Sequence, residues 1–187
     1  MTRSADRFER IYAADADPWR YESSEYEHAK YARTLDAIGP RPGLALEIGC
    51  SIGVFTSMLA PRCDHLTAID LSSAALEHAR QRNRGVSWVR IERMDATETL
   101  PQGPFDLVVC SEVLYYWEPV ILDRTLARLA GALAPGGRLV SVNWRGSAGD
   151  MLTDAGLVEA AIARTDRLDR IESAEEPGYS LAVWELV

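Results

Sequence analysis

The sequence Leu44-Ala45-Leu46-Glu47-Ile48-Gly49-Cys50-Ser51-Ile52-Gly53 is followed, one helical segment later, by Ile69-Asp70-Leu71. The apolar run at its start predicts a buried strand that ends at a glycine-containing turn. Ile52–Ala60 predicts a helix, and Leu66–Ile69 predicts a second strand that ends in a carboxylate. Strand, turn, helix, strand and acid together form half of a nucleotide-type βαβ unit.

The spacing within this unit distinguishes between ligands. A pyrophosphate-binding turn has the pattern G-x-G-x-x-G, whereas this chain has Glu47-x-Gly49-x-x-x-Gly53, with Ser51 at the middle position. Glu47 would repel a pyrophosphate. A ligand with a ribose, an ammonium and a sulfonium but no phosphate suits the turn better, which favours S-adenosylmethionine. We expect Asp70 to accept hydrogen bonds from both ribose hydroxyls, and Gly53 to permit close helix–strand packing.

Composition limits the possible partners. The 187 residues predict a single domain, and the net charge of −8 argues against nucleic acid as a partner. We expect neither a membrane span nor a signal peptide, and therefore a cytoplasmic protein. The three cysteines do not form a C-x-x-C pair, and the three histidines are not grouped with acids, so no metal site is expected. The chain is expected to be a monomer or a homodimer.

Strand and helix signals alternate from Leu44 to the end. Three later features bear on the fold: a helix from about Leu152 to Arg164, a turn at Pro135-Gly136-Gly137, and two final strands joined by Pro177-Gly178. That last connection is too short for a crossover, so those strands must be antiparallel. The predicted fold is therefore α/β, a mostly parallel sheet closed by a carboxyl-terminal antiparallel hairpin.

Residues 1–43 contain no strand signal and are rich in aromatic side chains. Asp17-Pro18 divides them into two helices, and the second begins at a capping box formed by Ser24 and Glu27. Tyr31, Leu35 and Ile38 give that second helix an apolar stripe. We expect residues 1–43 to fold as a helical lid over the ligand site of a domain formed by residues 44–187.

The order of motifs resembles class I S-adenosylmethionine-dependent methyltransferases, which have a Rossmann-like seven-stranded sheet. The motifs that carry the resemblance are Glu47-x-Gly49-x-x-x-Gly53, Asp70, Met94-Asp95-Ala96, Phe105–Val109 and Leu133–Gly137. More narrowly, the chain is similar to the NodS-like N-methyltransferases. The stretches that carry this second likeness are Asp17-Pro18-Trp19-x-Tyr21, Tyr26-Glu27-x-x-Lys30-Tyr31, Glu47-Ile48-Gly49-Cys50-Ser51-Ile52-Gly53 and Ser111–Tyr116.

The resemblance implies roles for individual residues. Gly49 and Gly53 would contact the cofactor's methionyl and ribose portions, and Leu71 would lie against adenine. Asp95 would accept a hydrogen bond from the adenine amino group and Ala96 would donate its backbone N–H. Ser111 and Glu112 would line the place where methyl donor and acceptor meet. Glu47 would face the methionyl ammonium, unless it only orients the turn.

Other assignments leave alternatives open. Glu112 would act as a general base, or would position the acceptor amine. Lys30 would reach the cofactor carboxylate, or would be a solvated surface lysine. Asp95 has a second possible role, as a cap for Ala96–Leu100. The aromatic side chains have two possible explanations: they form a wall around cofactor and acceptor, or they pack between the amino-terminal helices and the sheet. These residues are Tyr12, Trp19, Tyr21, Tyr26, Tyr115, Tyr116 and Trp144.

The sequence thus predicts a methyltransferase acting on a small molecule, most simply N-methylation of an amine or amino sugar. Three alternatives remain at this point. They are an O-methyltransferase, a NAD(P)-dependent oxidoreductase and a non-catalytic nucleoside-binding module.

Overall fold

The computed structural model describes residues 3–187. The helices are α1 Arg3–Ala14, α2 Glu25–Ala37, α3 Val54–Leu59, α4 Ser73–Arg82, α5 Pro119–Ala132 and α6 Ala155–Ala163. The strands are β1 Leu44–Ile48, β2 His65–Asp70, β3 Val89–Arg93, β4 Phe105–Ser111, β5 Leu133–Trp144, β6 Leu168–Glu175 and β7 Tyr179–Leu186. Short 3₁₀ turns lie at Ala60–Arg62 and Leu114–Tyr116.

The strands form one seven-stranded sheet in the order β3-β2-β1-β4-β5-β7-β6. The first five are parallel, and β7 is antiparallel to both of its neighbours. The predicted α/β fold with a carboxyl-terminal antiparallel hairpin is therefore confirmed. Strand order reverses between β1 and β4, and this is the point where parallel sheets open a crevice for a ligand.

Helices cover both faces of the sheet. On one face α2 and α3 pack in one apolar cluster with side chains of β1, β4 and β5, and the predicted stripe of Tyr31, Leu35 and Ile38 is buried there. On the other face Leu126 and Leu129 of α5 and Ile162 of α6 complete a second apolar layer. Because the central strands are covered twice, their side chains are apolar on both faces.

The sequence signals at helix ends are largely reproduced. Ser72 caps α4 by accepting a hydrogen bond from Ala75 N, and Ser24 caps α2 by accepting one from Glu27 N. The capping box at α2 is only half formed, however. Glu27 directs its carboxylate to Lys30, and Ser24 N donates to Arg20 O instead.

Two expected boundaries differ. The last helix begins at Ala155, after its cap Asp154, three residues later than Leu152. Pro135-Gly136-Gly137 does not separate a helix from a new strand. It lies inside β5, where Leu133 pairs with Phe105 and the next pair is Arg138 with Leu107. The ladder with β4 therefore resumes across a bulge, which absorbs the turn residues.

The reason for glycine at position 53 also differs from expectation. Gly53 has φ +75° and caps α3, and a Cβ built there would lie 2.9 Å from the Cα and Cβ of Ala79 on α4. The close packing is thus between two helices, not between a helix and a strand.

Among residues 3–187, no helix is both long enough and apolar enough to cross a membrane.

The contact at Gly53 can be tested against Gly85, which also has a positive φ (+88°) but open space around it. We expect Gly85→Ala to lower the free energy of unfolding by about 1–2 kcal/mol, the cost of the backbone conformation alone. Gly53→Ala should lose about 2 kcal/mol more, because Ala79 must move. Urea unfolding measures both, and equal losses would contradict the packing argument.

Candidate functional site

A crevice lies beyond the carboxyl ends of β1, β2, β3 and β4 and encloses about 750 Å³, including its open mouth. That size suits a nucleoside-sized ligand. The predicted site residues that line it are Tyr12, Trp19, Tyr21, Gly49, Asp70, Leu71, Asp95, Ala96, Ser111, Glu112 and Tyr116. Sequence reasoning did not assign the other wall residues to the site; they are Phe8, Ile48, Ser51, Ile69, Met94, Val113 and Trp117.

The turn after β1 forms one wall of the crevice. The backbone N–H groups of Gly49 and Cys50 both donate to Ile69 O, at 2.8 and 3.0 Å, which ties the turn to the end of β2. Gly49 has φ +76°, and a Cβ there would lie 3.2 Å from the side chain of Val113. Glycine is needed at this position for its backbone conformation and for this approach to the turn after β4.

Asp70 lies at the end of β2 and faces the crevice. Its Oδ2 accepts a hydrogen bond from Ser51 N and its Oδ1 accepts one from Ser72 N, both at 2.9 Å. Burial raises the pKa of Asp70, and the two backbone hydrogen bonds oppose that shift. A carboxylate has about four lone-pair positions, so these bonds leave acceptor capacity for a pair of hydroxyls.

Glu47 is only 4% exposed and lines a second, smaller cavity of about 350 Å³. This cavity shares Gly49, Ser51 and Glu112 with the first, so the two adjoin. Burial raises the pKa of Glu47 to about 8, and its Oε2 has no hydrogen-bond partner. A buried carboxyl with a free oxygen is suited to receive an ammonium group, which would restore its ionised form.

Lys30 does not line the crevice. Its side chain is buried, and its Nζ lies 2.7 Å from Glu112 Oε1 and 2.9 Å from Glu27 Oε2. Burial disfavours the ammonium, but the carboxylates outweigh it and raise the pKa of Lys30. The alternative of a solvated surface lysine is therefore wrong, and Lys30 joins α2 to the end of β4.

Glu112 is the centre of that connection. Its Oε2 accepts hydrogen bonds from Tyr115 Oη at 2.6 Å and from Trp144 N at 2.9 Å, while Oε1 accepts from Lys30. Its φ of +58° is unusual for a residue with a side chain. Both oxygens are thus occupied within the chain. This geometry favours the positioning role over the general base, although Glu112 also lines the crevice.

Asp95 caps a turn and also lines the crevice. Its Oδ1 accepts hydrogen bonds from Thr97 N and Thr97 Oγ1, at 2.9 and 2.6 Å, so it caps the turn that begins at Ala96. It also lines the crevice beside Ala96 and Leu71.

The amino-terminal residues supply an aromatic side of the crevice. The ring of Trp19 lies between those of Tyr12 and Tyr21, with centroids at 5.5 and 5.8 Å, and Phe8 contacts Tyr116 at 5.0 Å. Tyr12 Oη donates to Ser51 Oγ in the turn after β1.

A carboxylate on α1 holds this aromatic side in place. Glu9 accepts hydrogen bonds from Ser72 Oγ at 2.8 Å and from Ser73 N at 2.7 Å, at the start of α4. These contacts join α1 to the same edge of the sheet that carries Asp70.

Four further predicted residues lie outside both cavities. Tyr26, in the first turn of α2, is 44% exposed, and its ring faces Tyr179 of the final hairpin. Trp144 is 37% exposed and reaches the site only through its backbone N–H. Tyr115 is buried in the core beneath Glu112, and Gly53 packs against α4. The sequence motifs around Tyr26, Tyr115 and Trp144 did not indicate where these side chains point, nor which element Gly53 packs against.

Some of the missed wall residues had a sequence signal. Phe8 belongs to the aromatic-rich segment, Met94 directly precedes Asp95, and Val113 follows Glu112. Trp117 had no such signal. Within residues 3–187, no group of three or more His, Cys, Asp and Glu is arranged to hold a metal ion. The three cysteines are buried and unpaired.

Comparison with known proteins supports one family. A family model described as Nodulation protein S (NodS) matches residues 3–174. Nodulation protein S of Bradyrhizobium diazoefficiens is 40% identical over 71% of this chain and 64% of that protein. The protein of the same name from Sinorhizobium fredii is 39% identical over 68% of this chain and 60% of that protein. The chain thus spans less than two thirds of these relatives' length.

A solved structure is also similar throughout. The N-methyltransferase NodS from Bradyrhizobium japonicum WM9, in complex with S-adenosyl-L-homocysteine, superimposes with a TM-score of 0.86 at 28% identity. The superposition covers 99% of each chain.

The raised pKa of Glu47 predicts a pH-dependent stability. Between about pH 4.5 and 8 the folded chain holds a proton that the unfolded chain has lost, so stability falls as pH rises through this window. We expect Glu47→Gln to remove this pH-dependent loss of stability and to be more stable than the wild type by about 4 kcal/mol at pH 8, with little difference near pH 4.5. Urea unfolding across the range measures it.

The matched control is Glu77→Gln, which changes an exposed acid on α4. Its effect on stability should be small. A Glu47→Gln curve parallel to that of the wild type would contradict the assignment.

Proposed function

The chain belongs to the family described as Nodulation protein S (NodS), and on that premise we propose that it is an S-adenosylmethionine-dependent methyltransferase acting on a small molecule. The observation that carries the proposal is the charge of the site. Glu47, Asp70, Asp95 and Glu112 line the two adjoining cavities, and the described residues that line them include no lysine, arginine or histidine. Such walls suit a cationic or zwitterionic nucleoside and disfavour a diphosphate.

The ribose, the adenine and the methionyl ammonium of the cofactor each have a matching group in the two adjoining cavities. Asp70 accepts the ribose hydroxyls, because it lines the crevice and its two backbone hydrogen bonds leave acceptor capacity on the carboxylate. Asp95 and the Ala96 N–H recognise adenine, with Leu71 against the ring. Glu47 takes the methionyl ammonium in the smaller cavity. Lys30 is left out of this set, since Glu27 and Glu112 already surround its ammonium.

We assign the acceptor to the aromatic side of the crevice. Tyr12, Tyr21 and Tyr116, together with Phe8, form a surface on which a sugar ring or an amine can pack. An amine or amino sugar is the first choice, because a similar solved protein is described as an N-methyltransferase. Methylation of a hydroxyl is the second candidate. The fully buried, unpaired cysteines suit a reducing compartment such as the cytoplasm.

The protein contributes little covalent chemistry to this reaction. When bound, S-adenosylmethionine supplies the electrophilic methyl group and the sulfur that takes the electron pair of the broken carbon–sulfur bond. The chain's residues orient the acceptor lone pair toward that methyl group and exclude water. Alignment of this kind contributes on the order of 7–11 kcal/mol.

Glu112 acts in this proposal by position. Lys30, Tyr115 and the Trp144 N–H hold its carboxylate, so it fixes the end of β4 where donor and acceptor meet. The proton lost by an acceptor ammonium then goes to water before the methyl transfer, and a neutral amine is the attacking species.

Residues 1–43 serve as the lid in this proposal. Phe8, Tyr12, Trp19 and Tyr21 line one side of the crevice, so cofactor exchange requires α1 to move. The bonds from Glu9 to Ser72 and Ser73 hold α1 at the end of β2. A monomer contains every element of this site.

Ligand titration tests the proposed cofactor. We expect S-adenosylhomocysteine to bind and NADH not to bind, because the lining residues that the structure describes include no cation for a diphosphate. Asp70→Asn should weaken S-adenosylhomocysteine binding by about 10- to 100-fold, through loss of two charge-assisted hydrogen bonds. Isothermal titration calorimetry measures both.

The matched control is Asp64→Asn, at an exposed aspartate that pairs with Arg41. This variant should bind like the wild type. NADH binding tighter than S-adenosylhomocysteine binding would overturn the proposed function.

The role of Glu112 can be read from pH profiles of kcat/KM. If Glu112 only positions the acceptor, the inflection of the profile follows the pKa of the acceptor amine. Two amine acceptors whose pKa values differ by about two units then give inflections about two units apart. Glu112→Gln should lower kcat without moving either inflection. An inflection that is the same for both acceptors, and that Glu112→Gln abolishes, would instead identify Glu112 as the base.

A further inference from the structure

An arginine on α5 supports the turn that carries Asp95 and Ala96. Arg128 Nη1 donates to Glu98 O at 2.6 Å, and Nη2 donates to Ala96 O at 3.2 Å and also to Thr97 O. One guanidinium thus serves three consecutive backbone carbonyls. Arg124, one turn earlier on α5, adds a single bond to Thr97 O at 3.2 Å.

The turn needs such a partner. Glu98 N and Thr99 N both donate to Asp95 O, so residues 95–99 form one helical turn that does not continue. The carbonyls that would normally bond to a following turn are therefore left without helical partners. A guanidinium is planar and has several donors in a fixed fork, so it can satisfy these acceptors at once; an ammonium is a compact charge and cannot.

The two sides of this turn have different neighbours. Its carbonyl side is held by Arg128, while Asp95 and Ala96 line the crevice. Asp95 is itself fixed by Thr97, whose carbonyl is one of the three bound by Arg128. The direction in which Asp95 presents its carboxylate thus depends on a residue that lines neither cavity.

We propose that Arg128 is a positioning residue that gives the site its selectivity for adenine. It acts by holding the turn so that the Asp95 carboxylate and the Ala96 N–H meet the edge of the base together. This inference rests on the proposed function, since it assumes that the crevice binds an adenosyl ligand.

The test compares two probes that differ only at the edge of the base. They are S-adenosylhomocysteine and S-inosylhomocysteine. In the second probe oxygen replaces the adenine amino group and N1 carries a hydrogen, so the base loses both the amino donor for Asp95 and the N1 acceptor for the Ala96 N–H. The wild type should prefer the adenosyl ligand by about 10-fold or more, the worth of one hydrogen bond to a charged acceptor. Arg128→Met should reduce this preference to about 3-fold or less.

Two further variants separate positioning from stability. Arg128→Lys keeps the charge but not the planar fork of donors, and it should also lose the preference for the adenosyl ligand. This variant provides the test if Arg128→Met folds poorly. Arg124→Met removes an arginine from the same helix but only one bond, and should keep the preference. Thermal melting of each variant reports folding independently of the ratio of the two ligand affinities.

The outcomes are distinguishable. A preference that survives in both Arg128 variants overturns the inference, whatever their melting temperatures, because Arg128 would then be only structural. If Arg124→Met loses the preference for the adenosyl ligand as much as the Arg128 variants do, the inference is also overturned. A wild type that binds neither probe defeats the proposed function itself, which is a different result from a wild type that binds both and discriminates.

Discussion

The site depends on one buried carboxylate. Asp70 ends β2 and accepts the backbone N–H groups of Ser51 and Ser72, so it fixes the turn after β1 and the start of α4 with the same side chain. Burying a carboxylate is costly unless hydrogen bonds compensate, and these two amides do so. Since α1 is held by Ser72 and Ser73, and Tyr12 by Ser51, the amino-terminal helix is positioned through the same point.

A second buried charge connects the opposite side of the site. Lys30, the only lysine in the chain, lies between Glu27 and Glu112, and so joins α2 to β4 through groups that are 82 residues apart in sequence. Removing one partner of such a set leaves an uncompensated buried charge. The resulting loss of stability is larger than the stability that the complete set contributes. Asp70 and Lys30 therefore hold the two sides of the crevice, and both belong to chain segments that flank β1.

The sheet and the crevice floor could be predicted because they follow from local rules. Apolar runs marked the strands, and carboxylates or glycines at their ends marked Gly49, Asp70, Asp95 and Ser111 as neighbours. Side chains beyond the strand ends could not be placed this way. Tyr26 contacts Tyr179 of the final hairpin, Trp144 is 37% exposed, and Lys30 finds a partner far along the chain.

The sheet order has a consequence for how the chain is made. β7 follows every other strand in sequence, yet it lies between β5 and β6 in the sheet. Until it has emerged from the ribosome, β5 has an unpaired edge and β6 has no neighbour at all. The growing polypeptide can assemble the parallel half early, but it must keep an apolar strand edge away from other nascent chains until translation of β7 is complete.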